Sequence, residues 1–117
     1  MTEPKLQWKR DEKNVEWNGK SIPCMHGVLW ACEMPNCNGF CIVLMFDEET
    51  PDFEPNVCIY SKGGKLKQNI VIREDGNLVR FLGCSVAGNN LFLTGANDTG
   101  YLIDPKTFAV IDKHYIR

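Results

Sequence analysis

The chain has 117 residues, 44% of them hydrophobic and 24% charged, and a formal net charge of -2. This length suits one domain built on one core, and the composition is that of a folded chain rather than a disordered one. The slightly acidic balance argues against a nucleic-acid binder, which needs a clustered excess of Lys and Arg, and the longest apolar run, Phe40 to Phe46, is too short to cross a bilayer.

No stretch carries apolar residues at the i, i+3, i+4, i+7 spacing of an amphipathic helix. Short β-rich runs separated by turn residues recur instead. Leu6 to Arg10 alternates around Trp8. Asp11 to Asn14 reads as a polar turn, and Val15 to Lys20 returns with Val15 and Trp17 on one face. His26 to Met34 is the next strand, with Val28, Trp30, Cys32 and Met34 on one side, and Pro35 to Gly39 is a turn. Phe40 to Phe46 is apolar on both faces, which predicts a strand covered from both sides, centrally in a sheet or in an interface. Asp47 to Asn56 is an acidic loop. Val57 to Ser61 leads into a Gly63-Gly64 hairpin turn and Lys65 to Ile72 leads out; Asp75-Gly76 and Asn89-Asn90 mark two further turns. Leu91 to Thr94, Tyr101 to Ile103 and Phe108 to Tyr115 close the chain. Nine or ten short strands at this spacing predict an all-β antiparallel fold: a meander, a sandwich or blade-like modules.

The chain also echoes itself. Arg10 to Val15 resembles Arg73 to Leu78, Ile59 to Lys62 can be laid on Ile103 to Lys106, and Cys32 with Asn38-Gly39-Phe40 on Cys84 with Asn89-Asn90-Leu91. Within a single domain over 1–117, this suggests divergent repeat units at 5–67 and 68–117. The segment 91–111, LFLTGANDTGYLIDPKTFAVI, resembles part of a generic β-propeller blade, with two strands, an Asp-Pro turn and an outer strand. The resemblance implies backbone architecture and no catalytic motif.

The opening stretch, Met1 to Lys13, has no apolar h-region, so a cytoplasmic location is expected. There the six cysteines, Cys24, Cys32, Cys37, Cys41, Cys58 and Cys84, stay reduced. Four of them and His26 fall within eighteen residues (24–41), but the spacings lack the paired knuckles of a structural zinc site. Cys32 and Cys41 read as core, and Cys37 as an exposed turn residue. Cys24 and His26, two apart on one strand face, form a possible thiol–imidazole pair without a catalytic signature. The acidic loop (Asp47, Glu48, Glu49, Asp52, Glu54) lacks the calcium-loop pattern and reads as solvated. Lys62, Lys65 and Lys67 read as charges that block edge-to-edge pairing.

Trp30 is expected in the core, while Trp8 and Trp17, flanking a turn, are expected partly exposed and able to contact a ligand or partner. No cofactor or metal is implied. The function expected is a non-enzymatic binding or interaction module that self-associates or binds a protein. The alternative is a small-ligand binder or enzyme with a pocket at the loop end of the sheet. The residues singled out for contact are Trp8, Trp17, Cys24, His26, Asn97 and Tyr101.

Overall fold

The computed structural model describes residues 5–35 and 38–115. They form thirteen short strands and no α-helix. The turns explain the meander. Asn18 and Gly19, and again Asp75 and Gly76, adopt positive φ at both central positions, the hairpin geometry that matches strand twist. They join β2 (Asn14–Trp17) to β3 (Lys20–Pro23), and β8 (Arg73–Glu74) to β9 (Asn77–Leu78).

Three antiparallel meanders dominate. The first sheet is β1 (Leu6–Trp8), β2 and β3. The central sheet is β4 (Val28–Glu33), β5 (Phe40–Leu44), β6 (Val57–Tyr60) and β7 (Leu66–Asn69). The third is β10 (Phe81–Ala87), β11 (Asn90–Gly95), β12 (Thr99–Ile103) and β13 (Val110–Tyr115), each in simple sequential order. The small β8–β9 ribbon links the second meander to the third. No helix among the described residues is long and apolar enough to cross a membrane.

The central sheet is sandwiched, and its alternation shows how. On β5, Phe40, Ile42 and Leu44 join Val15, Trp17 and Ile22 of the first sheet in one apolar layer. Cys41 and Val43 point the other way, to Phe81, Cys84, Leu91, Leu93, Tyr101 and Ile103 of the third. The expectation for Phe40–Phe46 therefore holds through Leu44: the strand is buried on both faces, and the covering sheets belong to the same chain. Asn56, the one buried polar side chain among the described residues, ties the central sheet to the third. Its amide donates to the Leu44 and Phe81 carbonyl oxygens (2.9 and 2.8 Å) and its oxygen accepts from the Phe81 N–H (3.0 Å). Gly39 sits at φ +113 with the Tyr60 carbonyl where a Cβ would stand, so this approach to β6 requires glycine.

Two sequence readings need correction. Trp30 is 47% exposed, because a β-bulge between Val28 and Trp30 shifts the alternation and sends Val28 and Ala31 inward instead. Val15 to Lys20 is not one strand, since Asn18-Gly19 turns it back. The segment 5–67 holds two sheets and ends within β7; 68–117 holds the ribbon and the third sheet. Cys37 lies outside the described residues.

Candidate functional site

The six residues singled out from sequence are dispersed. Trp8 is half-buried and its ring meets Trp30 at 5.3 Å, tilted by 59°. Trp17 is buried, contrary to the expected partial exposure. Its ring packs on Phe40 at 4.7 Å, and its indole N–H donates to the Lys62 carbonyl (2.7 Å). The partner it lacks in the sequence is thus supplied by the β6–β7 hairpin.

Cys24 and His26 follow β3 rather than sharing a strand face. Cys24 packs against the aromatic layer, where burial raises its thiol pKa. His26 Nε2 lies 3.0 Å from Glu54 Oε1 in the acidic loop. Asn97 and Tyr101 do come together: the Asn97 amide donates to the Tyr101 hydroxyl at 3.0 Å, with the Tyr101 ring wholly buried edge-on to Phe81. Trp17 lies in the layer on one side of the central sheet and Tyr101 in the layer on the other. None of five surface clefts lined by described residues gathers more than one of the six.

The acidic loop is organised by itself. Asp47 Oδ1 accepts from the Glu49 and Thr50 N–H groups (2.8 and 3.1 Å), and the Arg80 guanidinium donates to the Pro51 carbonyl oxygen. Among the described residues, no group of three or more His, Cys, Asp or Glu side chains is arranged to hold a metal ion. Lys67 extends over the Phe108 ring, 5.5 Å from its centroid.

What the molecule offers a partner follows from strand register. In the first sheet the rows Leu6–Trp17–Lys20 and Trp8–Val15–Ile22 face the central sheet, which leaves Gln7, Glu16 and Ser21 as the outward row. That face is polar and exposed. In the third sheet the inward rows are Cys84–Leu93–Tyr101–Lys113 and Val86–Leu91–Ile103–Val110. The outward rows are Gly83–Thr94–Gly100–His114 and Ser85–Phe92–Leu102–Asp112. The Phe92 ring lies flat over Gly100, where any side chain would displace it. Phe92 and Leu102 are only partly covered, and Leu82, at the bulge that opens β10, is 47% exposed. Asp112 and His114 pair at 3.0 Å on the same outward side of β13.

Sequence reading missed this face. Its signal was present as alternation, because Leu91, Phe92 and Leu93 are consecutive apolar residues and one of them must point outward on any strand. No protein-family model matches the chain, and no curated protein matches it.

Proposed function

We propose that this chain is a non-enzymatic interaction module that associates through the outer face of its third sheet, with a second copy of itself as the partner. The observation that supports this reading is the unlike character of the two outer faces. The first sheet ends the stack with Gln7, Glu16 and Ser21; the third ends it with the partly covered Phe92 and Leu102 and the exposed Leu82, set among Ser85, Thr94, Asp112 and His114. Stacked assemblies end on polar faces, and apolar side chains on the middle strands of an outer face can take another layer.

The same contrast favours a closed pair. Head-to-tail stacking would set Glu16 against a face whose one imidazole, His114, is already paired with Asp112, leaving the Glu16 carboxylate without a partner. Two-fold association sets Phe92 and Leu102 against their own copies and stops at two, with the polar faces outside.

Native mass spectrometry of the reduced protein tests this. The expected result is a dimer with no added mass, converted to monomer by Phe92→Asp and unaffected by Glu16→Ala. A wild-type monomer at micromolar concentration, or a dimer that survives Phe92→Asp, overturns it.

A further inference from the structure

Three cysteines, one of them distant in sequence from the other two, meet in one layer of the core. Cys32 on β4 and Cys41 on β5 are cross-strand partners. Cys84 arrives from β10 of the facing sheet, its Sγ 3.9 Å from the Cys41 carbonyl oxygen. The Cys41 carbonyl that Cys84 approaches belongs to the residue opposite Cys32 on the β4–β5 ladder, so the three cysteines share one patch of the core. Cys41 and Cys84 are buried, whereas Cys32 keeps part of its surface in solvent. One thiol that an oxidant can reach thus lies beside two that it cannot.

We propose that Cys32 and Cys84 form a redox-active dithiol that a hydroperoxide closes into a disulfide joining the central and third sheets, and that a small thiol reopens.

Strand register selects the pair. The Met34 N–H donates to the Gly39 carbonyl (2.9 Å), so Met34 and Gly39 form a hydrogen-bonded pair of the β4–β5 ladder, and so do Cys32 and Cys41 two residues along. Directly opposed residues of this kind hold their Cβ atoms about 5.5 Å apart, whereas a disulfide needs about 3.8 Å. Cys41 is therefore a poor resolving thiol. Cys84 is held differently: it comes from β10, which packs along β4, and its Sγ reaches the Cys41 carbonyl oxygen, the backbone atom that faces Cys32 across the ladder.

The chemistry balances in two steps. The Cys32 sulfur attacks the terminal peroxide oxygen; the S–O bond forms as the O–O bond breaks, and the alcohol or water leaves with the thiol proton. The Cys84 sulfur then attacks the Cys32 sulfenic acid, the S–O bond breaks, and the hydroxyl departs as water with the Cys84 proton. Two electrons pass from the two thiols to the peroxide. Two equivalents of a small thiol reverse the change and become its disulfide. The surroundings suit these roles. Cys41 and Cys84 donate toward the Cys32 sulfur and lower its pKa, while Cys41 and Cys84 themselves are raised by that contact.

The test uses the full chain carrying Cys37→Ser, treated with stoichiometric hydrogen peroxide, blocked with a maleimide and digested without reduction. A Cys32–Cys84 cross-linked peptide, with the intact mass lighter by two hydrogens and restored by glutathione, is the expected result. Cys41→Ala keeps the link; Cys84→Ala stops the reaction at oxygen added to Cys32. No mass loss under peroxide, or a link mapped to Cys41 or to a cysteine of another copy, overturns the proposal. Mapping the link in the parent chain keeps the result independent of whether either core variant folds.

Discussion

The two layers that flank the central sheet are built from different materials. The layer toward the first sheet is aromatic: Phe40 stacks on Tyr60 at 4.8 Å with the rings 2° from parallel, and Trp17 tilts against Phe40 at 4.7 Å. The layer toward the third sheet is mainly aliphatic, with Val43, Val57, Ile59, Leu91, Leu93 and Ile103 around the three cysteines, and its aromatic pair, Phe81 and Tyr101, meets edge-on rather than stacked. A three-stranded sheet offers little area, so a few large rings supply most of its apolar contact. A four-stranded sheet fills its layer with more side chains, and one of its core positions, Cys84, is then a thiol. The difference teaches that the first sheet depends on single residues more than the third does.

Truncating Phe40 tests that most severely. It is fully buried and touches the Trp17 and Tyr60 rings, so Phe40→Ala removes the centre of the aromatic stack. A loss of about 3–5 kcal/mol is expected in urea denaturation. Leu93→Ala, equally buried in the other layer, is expected to cost less, about 2–3 kcal/mol. Equal costs would erase the contrast between the layers.

Much of this architecture was legible in the residues. Alternation revealed the strands, and the unbroken run from Phe40 announced a strand covered on both faces. Two of the three echoes fall on corresponding strands: Cys32 and Cys84 lie on the first strands of four-stranded meanders, Phe40 and Leu91 on the second, and Ile59 and Ile103 on the third, whereas Arg10 to Val15 and Arg73 to Leu78 belong to a three-stranded sheet and a two-stranded ribbon. What stayed hidden was phase. A bulge beside Trp30 inserts one residue into the ladder and reverses which tryptophan is exposed, and no propensity marks that position. Trp17 looked available because its indole partner, the Lys62 carbonyl, lies forty-five residues away. The thiol trio was split in the same way: Cys32 and Cys41 were close in the chain, but Cys84 joins them only once the third sheet packs.

Alkaline titration separates the layers next. In the aromatic layer, burial holds the Cys58 thiol up at about 11, against 9.0 for an ordinary cysteine, with the nearby Cys24 thiol adding to it. Burial likewise holds the Tyr60 hydroxyl at about 12 instead of 10.0. As pH rises through 9 to 12 the unfolded chain gives up these protons first and binds fewer than the folded chain, so stability falls with pH. Cys58→Ala and Tyr60→Phe are each expected to make the fall in urea midpoint shallower across that window, and the double variant shallower still. An unchanged slope in the double variant would assign the alkaline loss to Cys41 and Cys84 of the other layer.

The smallest effects belong to the surface pairs that sit beside each layer. His26 and Glu54 clip the loop after β3 to the acidic loop at 3.0 Å, and Lys113 and Glu74 clip β13 to the β8–β9 ribbon at 3.0 Å. The side chains are 38% and 26% exposed in the first pair and 55% and 36% in the second, so solvent screens both. Glu54→Gln is expected to cost less than about 1 kcal/mol, part of it recovered because glutamine can still hydrogen-bond the imidazole. Lys113→Met, at a more exposed pair, is expected to cost less again. Thermal denaturation of both variants at low and high salt measures this, and the small losses should shrink as salt rises. A large, salt-insensitive loss from Glu54→Gln would mean that the acidic loop, rather than the aromatic stack, holds the first sheet in place.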